Sequence, residues 1–533
     1  MDRKLKRLPT GIQTFERIIN ENRLYVDKTQ MLTELIDEGG QYFFARPRRF
    51  GKSLAVTTLE ALLQGRKDLF KGLYAEKWFK ERPDFKPCPV ISLSMNKITT
   101  EQGLEALNSS LFSHLKEVAR NLKVELEDGK SGGELFNSLI NNLYNKHDSQ
   151  IAILIDEYDK PYIDYIDDPV GANEVRNVLA NLYVQVKAND KYLRFVFMTG
   201  ISKFAKMGVF SKLNNLTDIS LRDNYAALCG ITKDELLANF DDYLHITAEE
   251  MQITKEELVD KMEFQYDGFS FNGKIRLYNP YSLLRFFEEK YLENFWFDGG
   301  TSTMMAKYIQ THTFTIEQFR GFPVMRDFVR NPGEMDSAPT EGFLFQCGFL
   351  TLREGTVKDF SLDYPNREVL DALSRLLSQK LLQNNYENLT NVLYYALDGK
   401  EVSGVIRSFN SLLASIPYDD YAQAVQQSIR LSSPIHEWLY RSSIFAFVRG
   451  CGLNVQAEMH TNKGRAGLVI NYKGQVWIIE LKVVYKGEDP AVKAQEAYNQ
   501  IFEKNYDKPF RSPLCFGMAI DNEQRQITEY TPK

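Results

Sequence analysis

Two groups of residues could do chemistry by type and spacing. The first is Arg46-Pro47-Arg48-Arg49-Phe50-Gly51-Lys52-Ser53-Leu54, which follows the apolar run Gln41–Ala45 and precedes a helix-like stretch. A Gly-Lys-Ser tripeptide where a strand passes into a helix suits a triphosphate. The N–H groups at the helix start face phosphates, and the aligned peptide dipoles favour an anion there. Lys52 would reach the β/γ-phosphates, and the Ser53 hydroxyl would ligate Mg²⁺. The generic pattern GxxxxGK[ST] asks for glycine at position 46, where this chain has arginine. That removes one permissive φ and keeps the residues that touch phosphate. Roughly 100 residues further on, the run Ile151–Ile155 ends in Asp156-Glu157. An apolar strand that carries an Asp to a Mg²⁺ shell, with a following Glu to polarise water, is the usual partner of such a loop. Two solvated carboxylates at a strand end are the plainer alternative, and the order of the two motifs counts against it. A third run, Arg194–Met198, leads into Thr199. That hydroxyl could sense a γ-phosphate or simply cap a turn, and both stay open.

The second group lies in VWIIELKVV, within Gln475–Val484. Strand alternation sends Glu480 and Lys482 to one face and Ile479 and Leu481 to the other. A carboxylate can hold Mg²⁺ while a lysine orients the water that attacks a phosphodiester. A cross-face ion pair on an edge strand would use the same two residues, and spacing does not separate these readings.

These residues need strands to carry them. Gln41–Ala45, Pro89–Ser94, Ile151–Ile155 and Arg194–Met198 alternate with amphipathic stretches such as Thr100–Leu122 and Ser131–Lys146. That pattern predicts βαβ units and a parallel sheet, hence an α/β fold. Residues 220–290 read as mostly helical, with turns at Tyr266-Asp267-Gly268-Phe269 and Asn279-Pro280. Phe343–Leu352 reads as hairpin-like, and 371–430 as helical and polar. The aromatics Tyr291, Phe295, Trp296 and Phe297 read as core. The last part predicts a helix over Ile435–Cys451, strands over Asn454–Glu458, Gly467–Tyr472 and Gln475–Val484, a helix over Pro490–Asn505 and a final strand near Cys515–Asp521. With 533 residues there is room for about three domains. Hydrophobic residues make up 43% and charged ones 26%, which excludes wholesale disorder. The net charge of −6 leaves no global basic field, so a nucleic acid would have to meet local patches. Five scattered cysteines without a CxxC pair exclude a disulfide scaffold and suit a reducing cytoplasm. No apolar run approaches membrane-spanning length, and no signal peptide is expected.

The strings RPRRFGKSL, LIDEYDKP and MTGISKF, with LPTGIQTFERIINENRLYVDKT ahead of them, resemble the AAA-ATPase-like proteins of gut bacteria, which usually carry a C-terminal PD-(D/E)XK nuclease-like domain. The resemblance covers roughly residues 5–285 and 430–525. It implies a P-loop NTPase domain over 1–285, a helical or winged-helix-like middle over 286–415 and a restriction-endonuclease-like α/β domain over 416–533. In that family RPRRFGKS is the normal loop, so Arg46–Leu54 and Thr199 are expected on ATP. Ser53 and Asp156 are expected on Mg²⁺, with Lys52, Asp156 and Glu157 catalytic, and Tyr25–Thr29 is implied to lie near the nucleotide. In the nuclease-like part the resemblance implies Glu480 on a metal and Lys482 in catalysis. The family's usual run GR-x-D-L-V-I appears here as Gly464-Arg465-Ala466-Gly467-Leu468-Val469-Ile470, with Gly467 where the second carboxylate is expected. Glu458 and Glu437 are other acids in range, and Gln495 matches a polar position that faces the site. The middle module reads as a spacer rather than a DNA reader. The expectation is an ATP-binding and ATP-hydrolysing protein that acts on nucleic acid, DNA foremost, with weak or no cleavage. Two alternatives stand beside it: a nucleotide-dependent signalling switch of the STAND type, and a DNA-binding protein that does not cut. A homo-oligomer or a protein partner is open, and a membrane partner is not expected.

Overall fold

The computed structural model describes residues 5–100, 103–127, 129, 131–165, 168–201, 215–296, 300–312, 314–330, 339–355, 358–416, 435–461 and 464–532. The chain forms two compact units, Met1–Tyr308 with Gly321–Val369, and Ile309–Arg320 with Leu370–Lys533.

The first unit is built on five parallel strands: β1 (Gly40–Ala45), β2 (Val90–Ser94), β3 (Ile151–Asp156), β4 (Leu193–Gly200) and β5 (Thr217–Asp218). Their order is β2-β3-β4-β1-β5. All six residues of β3 are buried, as expected of a strand covered on both faces. Helices Lys52–Leu63, Gly103–Asn121, Gly132–His147 and Pro169–Ala188 connect and flank the strands. They match the predicted alternation within a few residues.

After β5 comes a helical cluster. Thr232 and Glu235 form a capping box on helix Lys233–Asn239, and Thr254 and Glu257 do the same for Lys255–Tyr266. Asn279 caps helix Pro280–Glu289 by accepting the N–H groups of Tyr281 and Ser282, so the Asn-Pro pair is a helix start.

Beyond it, helix Gly300–Thr311, strand β6 (Phe322–Val324), helices Arg326–Arg330 and Thr340–Cys347, and strands β7 (Thr351–Glu354) and β8 (Phe360–Asp363) follow in the chain order of a winged helix, with sheet order β6-β8-β7. Here the hairpin-like reading of Phe343–Leu352 fails. Phe343–Cys347 is helical, and the helix ends at Gly348, whose φ of +86° lets its N–H turn back to the carbonyls of Leu344 and Phe345. A fully apolar run gives strand and buried helix the same signature. Phe295 and Trp296 are core residues, Tyr291 is half exposed, and Phe297 lies outside the described residues.

The second unit packs helices Tyr386–Gly399, Val402–Ala414 and Ile435–Gly450 with a mixed sheet of β9 (Asn454–Thr461), β10 (Gly464–Tyr472), β11 (Gln475–Val484), β12 (Leu514–Asp521) and β13 (Gln526–Thr531). The order is β13-β12-β11-β10-β9. Only β11 and β12 run parallel, and helix Pro490–Glu503 supplies the crossover between them. The sequence reading lacks β13, whose alternation in QITEYT is mostly polar. It pairs with β12.

Candidate functional site

The loop after β1 is held from behind by a buried cation. Arg46, expected among the residues on the nucleotide, points away from the helix start. Its guanidinium is 1% exposed and stacks between the rings of Phe44 and Phe271, 4.3 and 4.2 Å from their centroids. It donates to the carbonyls of Ala45, Ser220, Tyr225 and Ala226, and its own N–H donates to Gly200 O. Arginine at this position is therefore a bolt between the loop and the β5 region. Arg49 sits at φ +67° and donates to Phe295 O while lying over the Tyr281 ring. Arg48 is half-buried, and its charge acts on Glu157. Phe50 packs edge-on against Phe269 and Phe271, which makes the Tyr266–Phe271 stretch a buttress of the loop as well as a turn.

Gly51 (φ +93°) precedes helix Lys52–Leu63, a conformation that disfavours any side chain. Lys52 is buried and its Nζ donates to Pro47 O at 2.9 Å. Burial pulls its ammonium below the usual lysine range, and Glu157, Asp156 and Asp159 hold it up. Asp156 ends β3 in reach of the Ser53 hydroxyl and the Glu157 N–H, and burial pushes its carboxyl up. Glu157 adopts φ +52°, and burial raises it too. β4 lies between β1 and β3 and brings Thr199 opposite Phe44. Two buried polar atoms here have no partner among the described residues: Asp156 Oδ1 and Thr199 Oγ1.

Asp159 is a residue that the sequence reading passes over. It is fully buried and accepts the Ile201 N–H with both carboxylate oxygens, at 3.3 and 3.0 Å. A Cβ at Gly200 would come within 2.5 Å of Asp159 and of Tyr158, so only glycine fits there. The third acid of the DEYD string was the available signal.

A mainly apolar pocket opens beside the loop. Phe50, Leu54, Leu24, Ile231 and Phe240 line it, together with Gly51, Cys229 and Lys28. The Tyr25–Thr29 segment thus meets the loop. Asp27 holds that segment, accepting from Thr29 and from the Tyr74 N–H.

In the second unit Glu480 is 4% exposed on central strand β11, so an edge-strand ion pair does not describe it. Its Oε2 accepts the Gly467 N–H at 2.7 Å, and its Oε1 accepts Gln500 Nε2 at 2.8 Å. Burial pushes its carboxyl up to about 7, and Glu437 adds to the rise. Lys482 is half-buried on the same face, where its charge opposes that rise. Gln495 is exposed and bonds Asn499 instead of facing the site. Gln500 does that work. Five residues on a helix are about 140° apart, which places the two glutamines on different faces. The helix comes close because position 517, opposite Glu480 on β12, is also glycine, and a Cβ there would lie 2.2 Å from Ala494 O. A Cβ at Gly467 would lie 2.8 Å from Ile479 O and 3.0 Å from Glu480 Oε2. The side chain of Glu458 lies outside the described residues.

Comparisons with known proteins match two separate stretches of the chain. Residues 9–210 match the family described as predicted AAA-ATPase, and residues 435–530 match the PD-(D/E)XK nuclease superfamily. A protein of Azotobacter chroococcum mcd 1, described as an uncharacterized protein in the vnfD 5′ region, is 32% identical over 98% of each chain. Among solved structures, a Walker-type ATPase of Pyrococcus abyssi aligns with 70% of this chain and 99% of its own at 14% identity and a TM-score of 0.35. The ORC2 protein of Aeropyrum pernix aligns with 82% and 98% at 11% identity and a TM-score of 0.26. The chain belongs to the AAA-ATPase-like family, with a PD-(D/E)XK nuclease superfamily domain at its C-terminal end.

Proposed function

We propose that the protein binds and hydrolyses Mg·ATP at the Gly51–Ser53 helix start, and that the C-terminal domain engages DNA with little or no cleavage. The observation that carries the first part is a pair of buried atoms without a partner among the described residues, Asp156 Oδ1 and Thr199 Oγ1, beside a buried lysine whose one hydrogen-bond partner among them is a loop carbonyl. A buried polar group calls for a partner, and Mg·ATP would supply one to both atoms at a single strand–loop–helix junction. Ser53 and Asp156 would hold the Mg²⁺, whose chemistry is to bridge and neutralise the phosphate oxygens. Lys52 would leave Pro47 O for the β/γ-phosphates, and Glu157 would orient the attacking water. Thr199 would lie beside the γ-phosphate. Of the loop residues, Gly51, Lys52 and Ser53 would meet phosphate. Arg48 would add charge, Phe50 and Leu54 would meet the base, and Arg46, Pro47 and Arg49 would hold the loop's shape.

Weak cleavage follows from the closed geometry around Glu480. A two-carboxylate Mg²⁺ site needs ionised oxygens that face the ion. Here one carboxylate is absent at Gly467, and both oxygens of the other are already hydrogen-bonded. The signalling-switch reading gains from one observation. The third helix of the winged-helix order, which in a DNA-binding module enters the groove, has Gly342–Cys347 buried, and Gly348 sits against Pro47 of the loop. The module would then answer to the nucleotide rather than to DNA.

The test is incubation with Mg·ATP and plasmid, reading phosphate release and nicking together. Phosphate release that Lys52→Ala abolishes, with little or no nicking, is expected. Absence of ATP binding by calorimetry would overturn the first part, and vigorous Mg²⁺-dependent nicking the second.

A further inference from the structure

The pocket beside the loop contains one feature that its apolar lining does not explain. Lys28 is 9% exposed, yet its side chain lines the cavity among Leu24, Phe50, Leu54, Ile231 and Phe240. Among the described residues its ammonium has a single partner, Glu235 Oε1 at 2.5 Å. Glu235 spends its other oxygen on the Thr232 N–H, as the acid of the capping box. An ammonium carries three donors, so two N–H groups of this largely buried Lys28 find no acceptor among the described residues. Burial pulls the ammonium down, and Glu235 is the main group that keeps it charged. Joining the N-terminal segment to the helix at Lys233 would need only one of the three donors, and it would not need the side chain to border a cavity.

Resting on the reading of Gly51–Ser53 as the triphosphate site, we propose that Lys28 is a specificity-determining residue that donates a hydrogen bond to a ring nitrogen of the bound purine. The cavity borders Gly51, Leu54 and Ala55, so a nucleotide with its phosphates at the helix start has its base here. The apolar walls accept either face of any base and do not discriminate. A donor-only group at the edge does, because it requires an acceptor opposite it and leaves a buried charge unmatched when the acceptor is missing. Glu235 is a positioning residue. It fixes the ammonium and is itself fixed by Thr232.

The experiment measures binding of ATP and of its 1-deaza, 3-deaza and 7-deaza analogues, with tripolyphosphate as a base-free probe of the loop. The full chain and Lys28→Met are compared. For the wild type, one deaza analogue should bind more weakly than ATP by on the order of tenfold to a hundredfold, the worth of a hydrogen bond to a charged donor. Lys28→Met should bind ATP and that analogue equally, with tripolyphosphate affinity unchanged. Loss of Lys28 strands Glu235, so Lys28→Met with Glu235→Gln serves where the single variant fails to fold. Equal binding of all analogues by the wild type overturns the proposal, and so does discrimination that survives in the variant. Failure of the wild type to bind tripolyphosphate and ATP alike would instead remove the triphosphate site itself.

Discussion

Glu480 should make the C-terminal unit less stable as pH rises, and Glu480→Gln should abolish that loss. Its carboxyl is pushed from the ordinary 4.5 up to about 7, first by burial, with Glu437 adding to the rise and the Gly467 N–H, Lys482 and Arg441 opposing it. Between these values the folded state holds a proton that the unfolded chain has released. Stability therefore falls with pH across this window and levels off above about 7. At 1.36 kcal/mol per unit the full loss is about 3 kcal/mol. A glutamine at 480 can still accept the Gly467 N–H, and the Gln500 amide can turn to accept from it, so both contacts survive without a charge. Urea denaturation read by pulse proteolysis, without divalent ions, follows the C-terminal fragment separately. Wild type should lose about 3 kcal/mol between pH 4.5 and 8. The variant should match it at pH 4.5 and exceed it by about 2–3 kcal/mol at pH 8. A wild-type profile that is flat over this range, or a variant that falls equally, would refute the reasoning.

Gly467→Asp should not restore a nuclease. Its Cβ meets Ile479 O at 2.8 Å, so the unit should lose about 1–3 kcal/mol in urea and show no Mg²⁺-dependent nicking of plasmid. Arg46→Met should cost the first unit at least about 3 kcal/mol in the same denaturation, because four carbonyls lose their donor inside the protein. Arg46→Lys should recover less than half of that, since one ammonium cannot span the fork. Gly348→Ala forces a Cβ to within 2.7 Å of Pro47 at φ +86°, and calorimetry should show ATP binding weakened several-fold. Gly321→Ala, at φ +63° with open space around it, should leave ATP binding unchanged.

The parts of this architecture that rest on local chemistry were readable in the chain. Asp156-Glu157 stands at the end of β3 and Gly51-Lys52-Ser53 at the helix start one short loop after β1, because apolar runs of strand length precede both. What escaped depended on distant residues. Arg46 looks like a phosphate ligand beside a lysine and two more arginines, and only Phe271 and Ser220, some 170 residues or more away, reveal it as an anchor. Gln495 and Gln500 differ by helical phase, which a motif position does not state. Gly467 could be recognised as a missing acid, but not that Glu480 takes up its backbone donor. Phe343–Cys347 is buried on all sides, and such a run has no polar face from which a period could be read.

Arg46 has a further consequence. Its burial lowers the guanidinium to about 10, still well above neutrality, so the charge is permanent. Dissolved ions screen an interior charge far less than one at the surface. The nucleotide loop thus rests on a fixed positive potential that no phosphate can titrate or displace. Added salt would weaken the pull of half-buried Arg48 more and leave this deeper contribution nearly intact.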